Sequence, residues 1–256
     1  MEFSNRYVLG FTVLLCLVCA FGVSTAAVAL KERQEANQLL DRQANILRVA
    51  GLIDAGAKVS PAEAEEFFRT INTVVIDRAT GEPTDIDPVT FSAHAESKST
   101  ETSDEVPDPH GRTQVSGLPD HLLVYEVTTP GKECFVLEIW GNGLWSTLFG
   151  YLALSSDLEQ VVGITYYEHG ETPGLGGEVD NPNWKALWPG KRAFDDQGAT
   201  LIEVVKAGSI QPDKADWQVN GMSGATITTN GVSWMVQLWL GEHGYGPYFD
   251  RIRGKS

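Results

Sequence analysis

From Tyr7 to Leu30 the chain is apolar and carries no charged residue. About 20 such residues in a helix cross a bilayer, so this stretch predicts one membrane-spanning helix. Ala27-Val28-Ala29 also resembles the cleavage site of an exported precursor, but the apolar core is too long for a typical leader and only Arg6 supplies basic charge ahead of it. Residues 1–30 are therefore taken as an uncleaved anchor. From Leu30 to Leu52 charged and apolar positions alternate with helical spacing, which makes Leu40, Ala44, Leu47 and Leu52 candidate packing positions. Pro61 to Thr70 predicts a further helix, with Ser60 as N-cap, Pro61 at the first helical position and acidic residues in the first turn. Residues 31–72 are thus read as connecting helices.

Thr73 to Ile76 is short and β-branched, and predicts a strand. Residues 80–112 are rich in Asp, Glu, Ser, Thr and Pro with few apolar anchors, and are read as a mobile surface insert without a functional role. Strand patterns then dominate. Leu122–Thr128 and Cys134–Ile139 flank the turn Thr129-Pro130-Gly131, and Phe149–Ser155 and Val161–Glu168 are joined around Ser156-Asp157. Trp184 to Trp188 is a short helix or turn ended by Pro189-Gly190, and Ile202 to Lys206 is a further strand. Strands bounded by helices at both ends predict an α+β domain over 73–256, mostly antiparallel. No internal repeat is visible.

The formal net charge is -15, and since Glu2 and Arg6 cancel, all of it lies beyond the apolar segment. So acidic a domain excludes nucleic acid and anionic lipid headgroups as expected partners. Cys16 and Cys19 fall inside the apolar segment, so Cys134 has no partner for a disulfide within the domain. The histidines at 94, 110, 121, 169 and 243 lack ligand spacing, and no metal site is expected. No nucleotide-binding fingerprint, paired acid and base, or nucleophile elbow is present.

Candidate chemistry concentrates at Ser223-Gly224-Ala225-Thr226-Ile227-Thr228-Thr229-Asn230-Gly231. Val232, Met235, Val236 and Trp239 follow at the spacing of one helix face, so this run of small and hydroxyl residues stands at a helix start. A helix start offers unpaired N–H groups and a positive dipole end, a ready site for a phosphate. No Lys follows the Gly, so a P-loop nucleotide is not the expected ligand. The alternative is structural: Thr hydroxyls capping the helix. Two glycine-bearing loops can join the site. Gly141-Asn142-Gly143-Leu144-Trp145-Ser146-Thr147 offers Trp145 as a cover for an aromatic ring, or else as a core tryptophan under a tight turn. His169-Gly170-Glu171-Thr172-Pro173-Gly174-Leu175-Gly176-Gly177 lets backbone approach a ligand closely, or is an ordinary turn.

Ser-Gly-Ala-Thr followed by Ile-Thr-Thr-Asn-Gly-Val resembles the flavinylation motif of proteins that carry FMN through a phosphoester on threonine. That motif reads Asp-x-x-Ser/Thr-Gly-Ala-Thr, and the matching acceptor here is Thr226. The similarity extends over nearly the whole chain, including the membrane segment and Gly244-Tyr245-Gly246-Pro247-Tyr248, and is to the C-subunit family of sodium-translocating NADH:quinone reductases. One departure stands out: Asn220 replaces the motif's Asp.

The resemblance implies an FMN-binding domain with covalent FMN on Thr226, a flavin-attaching transferase for maturation and stepwise electron relay. It implies neighbouring membrane subunits with NADH as the complex's donor and ubiquinone as its acceptor. It also implies that Glu171, Thr172, Gly174 and Leu175 line the flavin. Ser223 and Thr228, which flank Thr226 together with Gly224 and Ala225, are candidate phosphate contacts. Lys206 at a strand end is a candidate positive charge for the flavin's N1–C2 edge. Arg6 before the span against Lys31, Arg33 and Arg42 after it would keep the domain cytoplasmic by simple count, but long domains cross regardless of charge. The resemblance places the domain on the periplasmic side of a bacterial inner membrane, and that placement is adopted. Two alternatives stay open: the G-type subunit of the related Rnf ferredoxin:NAD oxidoreductase, and a flavin-free, membrane-anchored assembly or binding subunit.

Overall fold

The computed structural model describes residues 4–54, 56–106 and 115–254. It divides into two units, Met1–Arg42 and Gln43–Ser256. Helix α1 spans Asn5–Val49. Within the first unit its apolar window, of mean hydropathy 2.5, buries no residue in the protein. The helix is long and apolar enough to cross a membrane, and exposed side chains such as Leu14 and Phe21 suit lipid as their solvent.

In the second unit the end of α1 joins the core through Ala44, Ile46, Leu47 and Val49. Of the packing positions predicted for this stretch, Ala44 and Leu47 are buried, while Leu40 and Leu52 are half-buried. Helix α2 (Pro61–Phe68) starts as its sequence predicts. Ser60 Oγ accepts from the Glu63 N–H, and the Glu63 carboxylate accepts from the Ser60 N–H at 2.9 Å, a reciprocal capping box.

Strand β1 (Ile71–Asp77) is longer than the predicted Thr73–Ile76 because all seven residues pair with the strand beside them. The insert that follows carries some local structure of its own. Over 80–106 it is largely exposed, with Gly81, Ala93 and Ser97 buried, while residues 107–112 lie outside the described residues. Helix α3 (Ala93–Glu96), capped by Ser92, buries Ala93, and β2 (Ser103–Asp104) pairs with β3 (Leu118–Pro119). Buried Arg78 ties the segment down, donating from Nε to the Pro119 carbonyl at 2.7 Å and pairing with Asp104. A capped turn and a buried guanidinium do here what apolar side chains do elsewhere, so composition undercounts the anchors.

The main sheet is antiparallel in the order β1-β4-β5-β6-β7, where β4 is His121–Val127, β5 Cys134–Asn142, β6 Thr147–Ser155 and β7 Val161–Glu168. The β4–β5 turn closes with the Lys132 N–H donating to the Thr129 carbonyl at 2.9 Å, and Gly131 takes the φ of +76° that the turn requires. The sheet is covered on both faces, so its strands read as nearly continuous apolar runs. Val136, Tyr151 and Ala153 pack with Ile46 and Leu47 on one side. Leu137, Ile139 and Leu152 join the larger core on the other.

Beyond β7, helix α4 (Pro182–Lys185) begins two residues before the predicted Trp184, because Asn181 caps it and Pro182 occupies the first turn. Strands β8 (Glu203–Val205) and β9 (Gln218–Asn220) form a separate parallel pair. Helix α5 (Thr226–Leu240) then lies on the sheet and buries Val232, Met235, Val236 and Trp239, the face predicted for it. Trp239 Nε1 donates to the Trp140 carbonyl at 2.6 Å, and the two indole rings lie 4.0 Å apart. Helix α6 (Gly246–Ile252) closes the domain, and the Tyr245 hydroxyl just before it reaches the Leu123 and Glu138 carbonyls at 3.1 and 3.0 Å.

Candidate functional site

Among the described residues, the first turn of α5 has no side-chain cap. Its N-cap is Ala225, without a side-chain hydrogen bond. The N–H groups of a first turn have no partners inside the helix, so this end offers free donors and the positive end of the dipole. Thr226 holds the first helical position with its side chain exposed, next to exposed Ile227. The capping alternative does not hold. The Thr228 hydroxyl donates to Glu171 Oε2 at 2.7 Å, and Thr229 Oγ1 accepts from the Met222 N–H at 3.1 Å. Both hydroxyls thus serve other segments and leave the helix-start donors alone.

Glu171 is the point where the three loops meet. Its side chain is buried and accepts from the Trp145 N–H at 2.8 Å and the Ser146 N–H at 3.1 Å, besides the Thr228 hydroxyl. Burial by itself would raise its pKa. Hydrogen bonds from Thr228 and from the N–H groups of Trp145, Ser146 and Leu144 outweigh that and hold the carboxyl below its ordinary range. At neutral pH Glu171 is therefore an anion and acts as an acceptor that fastens the β5–β6 turn to the start of α5. Glycines make the convergence possible. A Cβ on Gly143 would stand 2.6 Å from Glu171 Oε1, one on Gly176 would collide with Glu171 Oε2, and one on Gly231 with the Asn142 carbonyl.

The remaining predicted residues distribute around this hub. Trp145 is 72% exposed on the tight turn closed by the Gly143 N–H and the Ser146 carbonyl, so it is not a core tryptophan. Trp140 and Trp239 fill that role instead. Thr172 is exposed, and its carbonyl accepts from the N–H groups of Leu175 and Gly177, folding the loop around Gly174 at a φ of +76°. Leu175 is exposed and touches the α5 entry, since a Cβ on Gly224 would lie 3.2 Å from Leu175 Cδ2. Ser223 is exposed just before that glycine, whereas Thr228 is buried with its hydroxyl proton directed to Glu171. Lys206 is exposed one residue past the end of β8, whose Val205 carbonyl accepts from the Gly221 N–H at 2.7 Å; β8 pairs with β9, the strand that leads into α5.

Three further residues take part that the sequence does not single out. Ser146 Oγ accepts from the Gly170 N–H at 2.6 Å and joins two loops directly. His169 Nδ1 accepts from the Glu171 N–H at 3.2 Å while its Nε2 faces Asp180 at 2.8 Å, which sets its tautomer. Exposed Ile227 adds apolar surface beside Thr226. The local signal for Ser146 and His169 is their position inside the two glycine-bearing loops; their partners are long-range and leave no trace in spacing.

The arrangement fits a flavin phosphate ester. An uncapped helix start with a free hydroxyl at its first position suits the phosphate, and exposed Leu144, Trp145, Leu175 and Ile227 provide apolar surface for a ring. Among the described residues no cluster of His, Cys, Asp or Glu could hold a metal ion.

Comparison with known proteins agrees with this geometry. Residues 143–241, which contain Thr226, Glu171, Trp145 and all of α5, match the family model of the FMN-binding domain, and that is the class of the site. The chain as a whole belongs to the NqrC family, the C subunits of the Na(+)-translocating NADH-quinone reductase. It is 42% identical over 246 residues to the C subunit of that reductase from Pseudomonas aeruginosa, covering 94% of this chain and 93% of the relative. To the Yersinia pestis relative of the same description it is 40% identical, covering 94% and 90%. Among solved structures, Shewanella oneidensis NqrC superposes with a TM-score of 0.73 at 30% identity, covering 84% of this chain and 97% of that one. The C subunit from Parabacteroides distasonis gives 0.67 at 26% identity, covering 86% and 96%.

Proposed function

We propose that this chain relays single electrons within a sodium-translocating NADH:quinone reductase through FMN joined to Thr226 by a phosphoester. The observation that carries the reading is the start of α5: an exposed threonine at the first helical position of a helix that no side chain caps. Bound there, FMN supplies one-electron redox chemistry. The chain's own residues hold and shield. The first-turn N–H groups receive the single charge of a phosphodiester, Gly224 keeps the entry narrow, and Trp145, Leu144, Leu175 and Ile227 keep water from the ring. Lys206 is proposed to offset negative charge as electrons arrive. Thr172 and Gly174 are proposed to shape the loop that borders the ring.

Family membership supports the following reading of the partners. They are the other membrane subunits of the complex, which bring NADH oxidation and ubiquinone reduction, and a transferase that attaches the flavin. The domain is proposed to lie on the periplasmic side, where a tether prevents loss of a scarce cofactor. Asn220 stands where the motif carries Asp. Its Oδ1 accepts from the Gly208 N–H at 2.9 Å, so the amide keeps the structural acceptor and lacks only the charge.

The test is denaturing electrophoresis under ultraviolet light, after co-expression with the attaching enzyme. A fluorescent band at the chain's mass is expected for the native sequence, and complete loss of it for Thr226→Ala, with mass spectrometry placing an FMN increment on the Thr226 peptide. A dark native band would favour a flavin-free binding subunit. Asn220→Asp is expected to preserve the fold and raise the flavin carried per molecule, since it restores the charge and keeps the acceptor. An unchanged yield would show that the carboxylate is dispensable for attachment.

A further inference from the structure

A second cleft, of about 390 Å³, lies in the Gln43–Ser256 unit between the end of α1, β7 and α4. It shares no lining residue with the three flavin loops. Its walls include Val49, Ile164, Pro182 and Ala186, and two cations, Arg48 and Lys185, line it together. Such pairing of like charge stands out in a chain whose net charge is -15. Neither cation makes a salt bridge among the described residues. Arg48 Nη2 donates to the Ala57 carbonyl at 3.0 Å, but its Nε is buried and has no hydrogen-bond partner among the described residues.

The carbonyl-rich end of α1 favours a cation and accounts for part of Arg48's placement. It does not account for Lys185. Burial lowers the pKa of that ammonium, the charge of Asp180 opposes the shift, and Arg48 adds to it. Asp180 is itself held by His169 at 2.8 Å. The cleft therefore holds two positive charges that disfavour each other, and no carboxylate among the described residues lines it.

We propose that this cleft binds a soluble ligand through a phosphate group, gripped by the Arg48 guanidinium and the Lys185 ammonium. Two full charges match a phosphate dianion better than a single carboxylate, and the guanidinium fork offers paired donors to two of its oxygens. The apolar walls leave room for a small organic body on the phosphate. The proposal does not depend on the flavin reading, because the two sites use different residues.

The test uses the full-length chain in uncharged detergent, with lysines reductively ¹³C-methylated and the Lys185 resonance identified by its absence in Lys185→Gln. Inorganic phosphate is titrated at constant ionic strength against chloride. A saturable rise in the Lys185 titration midpoint is expected, since a bound anion favours the charged amine. Arg48→Gln should weaken the phosphate dependence about tenfold or more. Arg48→Gln also loses the contact to Ala57, so a second measurement guards against a folding effect. Phosphate should raise the thermal midpoint of the native chain and not that of Lys185→Gln, whose side chain holds no bond to the protein among the described residues. No saturable change with phosphate overturns the site, as does an equal thermal response in Lys185→Gln. A response to phosphatidylglycerol vesicles without one to inorganic phosphate overturns the soluble ligand.

Discussion

Glu171→Ala is expected to destabilise the domain by about 2–4 kcal/mol and to lower the flavin carried per folded molecule. The size follows from what the carboxylate holds. Two backbone N–H groups, from Trp145 and Ser146, and the Thr228 hydroxyl all donate to it within 3.1 Å. Hydrogen bonds to an ionised group are worth roughly 1.5–3 kcal/mol each, but they do not add fully, and water entering from the turn recovers part. The loss of flavin has a separate cause. The carboxylate joins the Trp145 turn to the first turn of α5, so without it the apolar cover and Thr226, the proposed acceptor, no longer share one register. Chemical denaturation measures the first effect, and absorbance of the flavin per folded chain measures the second. A variant that keeps native stability would show that the carboxylate is incidental.

Glu171→Gln separates charge from shape and carries a pH signature. The folded carboxyl titrates below its ordinary range, so its contribution is complete above the unfolded value of about pH 4 and disappears as pH falls through the lower folded value. The stability gap between the native chain and Glu171→Gln should therefore be constant near neutrality and close only in acid. A gap that widened on acidification would reverse the sign and refute the assignment of Glu171 as a stabilised anion.

Much of this fold is legible in the chain itself, and the residues show why. The α5 face (Val232, Met235, Val236, Trp239) is a local period, and all four are buried. The Ser60 cap and the Thr129-Pro130-Gly131 turn are also local, because each depends on residues within a few positions of each other. Residues with long-range partners are less legible. Glu171 reaches Thr228 across 57 positions, and Arg78 reaches His243 across 165. No spacing rule announces such pairs. Trp145 and Trp140 show the same limit. Both are tryptophans near the end of β5, yet one is 72% exposed and the other 1%, because the strand's pleat and the turn decide which indole meets α5. The insert resists reading for a related reason: besides a few apolar contacts (Phe91, Ala93, Val106), its fastening is the distant pair of Arg78 and Asp104, so its composition looks like that of an unanchored loop.

Trp239→Ala is expected to cost about 3–5 kcal/mol, the usual range for truncating a fully buried aromatic ring. Against a total stability of roughly 5–15 kcal/mol for a domain, that is a large fraction. The ring is completely buried, lies 4.0 Å from the Trp140 ring and donates to the Trp140 carbonyl at 2.6 Å. Trp239→Phe keeps most of the apolar area and loses that donor, so it should cost only about 1–2 kcal/mol. The flavin readout distinguishes this pair from Glu171→Ala. Trp239 lies near the far end of α5 from Thr226, and its indole N–H bonds to a strand and not to a flavin loop. Flavin per folded Trp239→Ala molecule should therefore stay near the native value while the yield of folded protein falls. Equal loss of flavin per folded molecule in Trp239→Ala and Glu171→Ala would mean that the site depends on the whole helix seat, and not on the carboxylate that joins its loops.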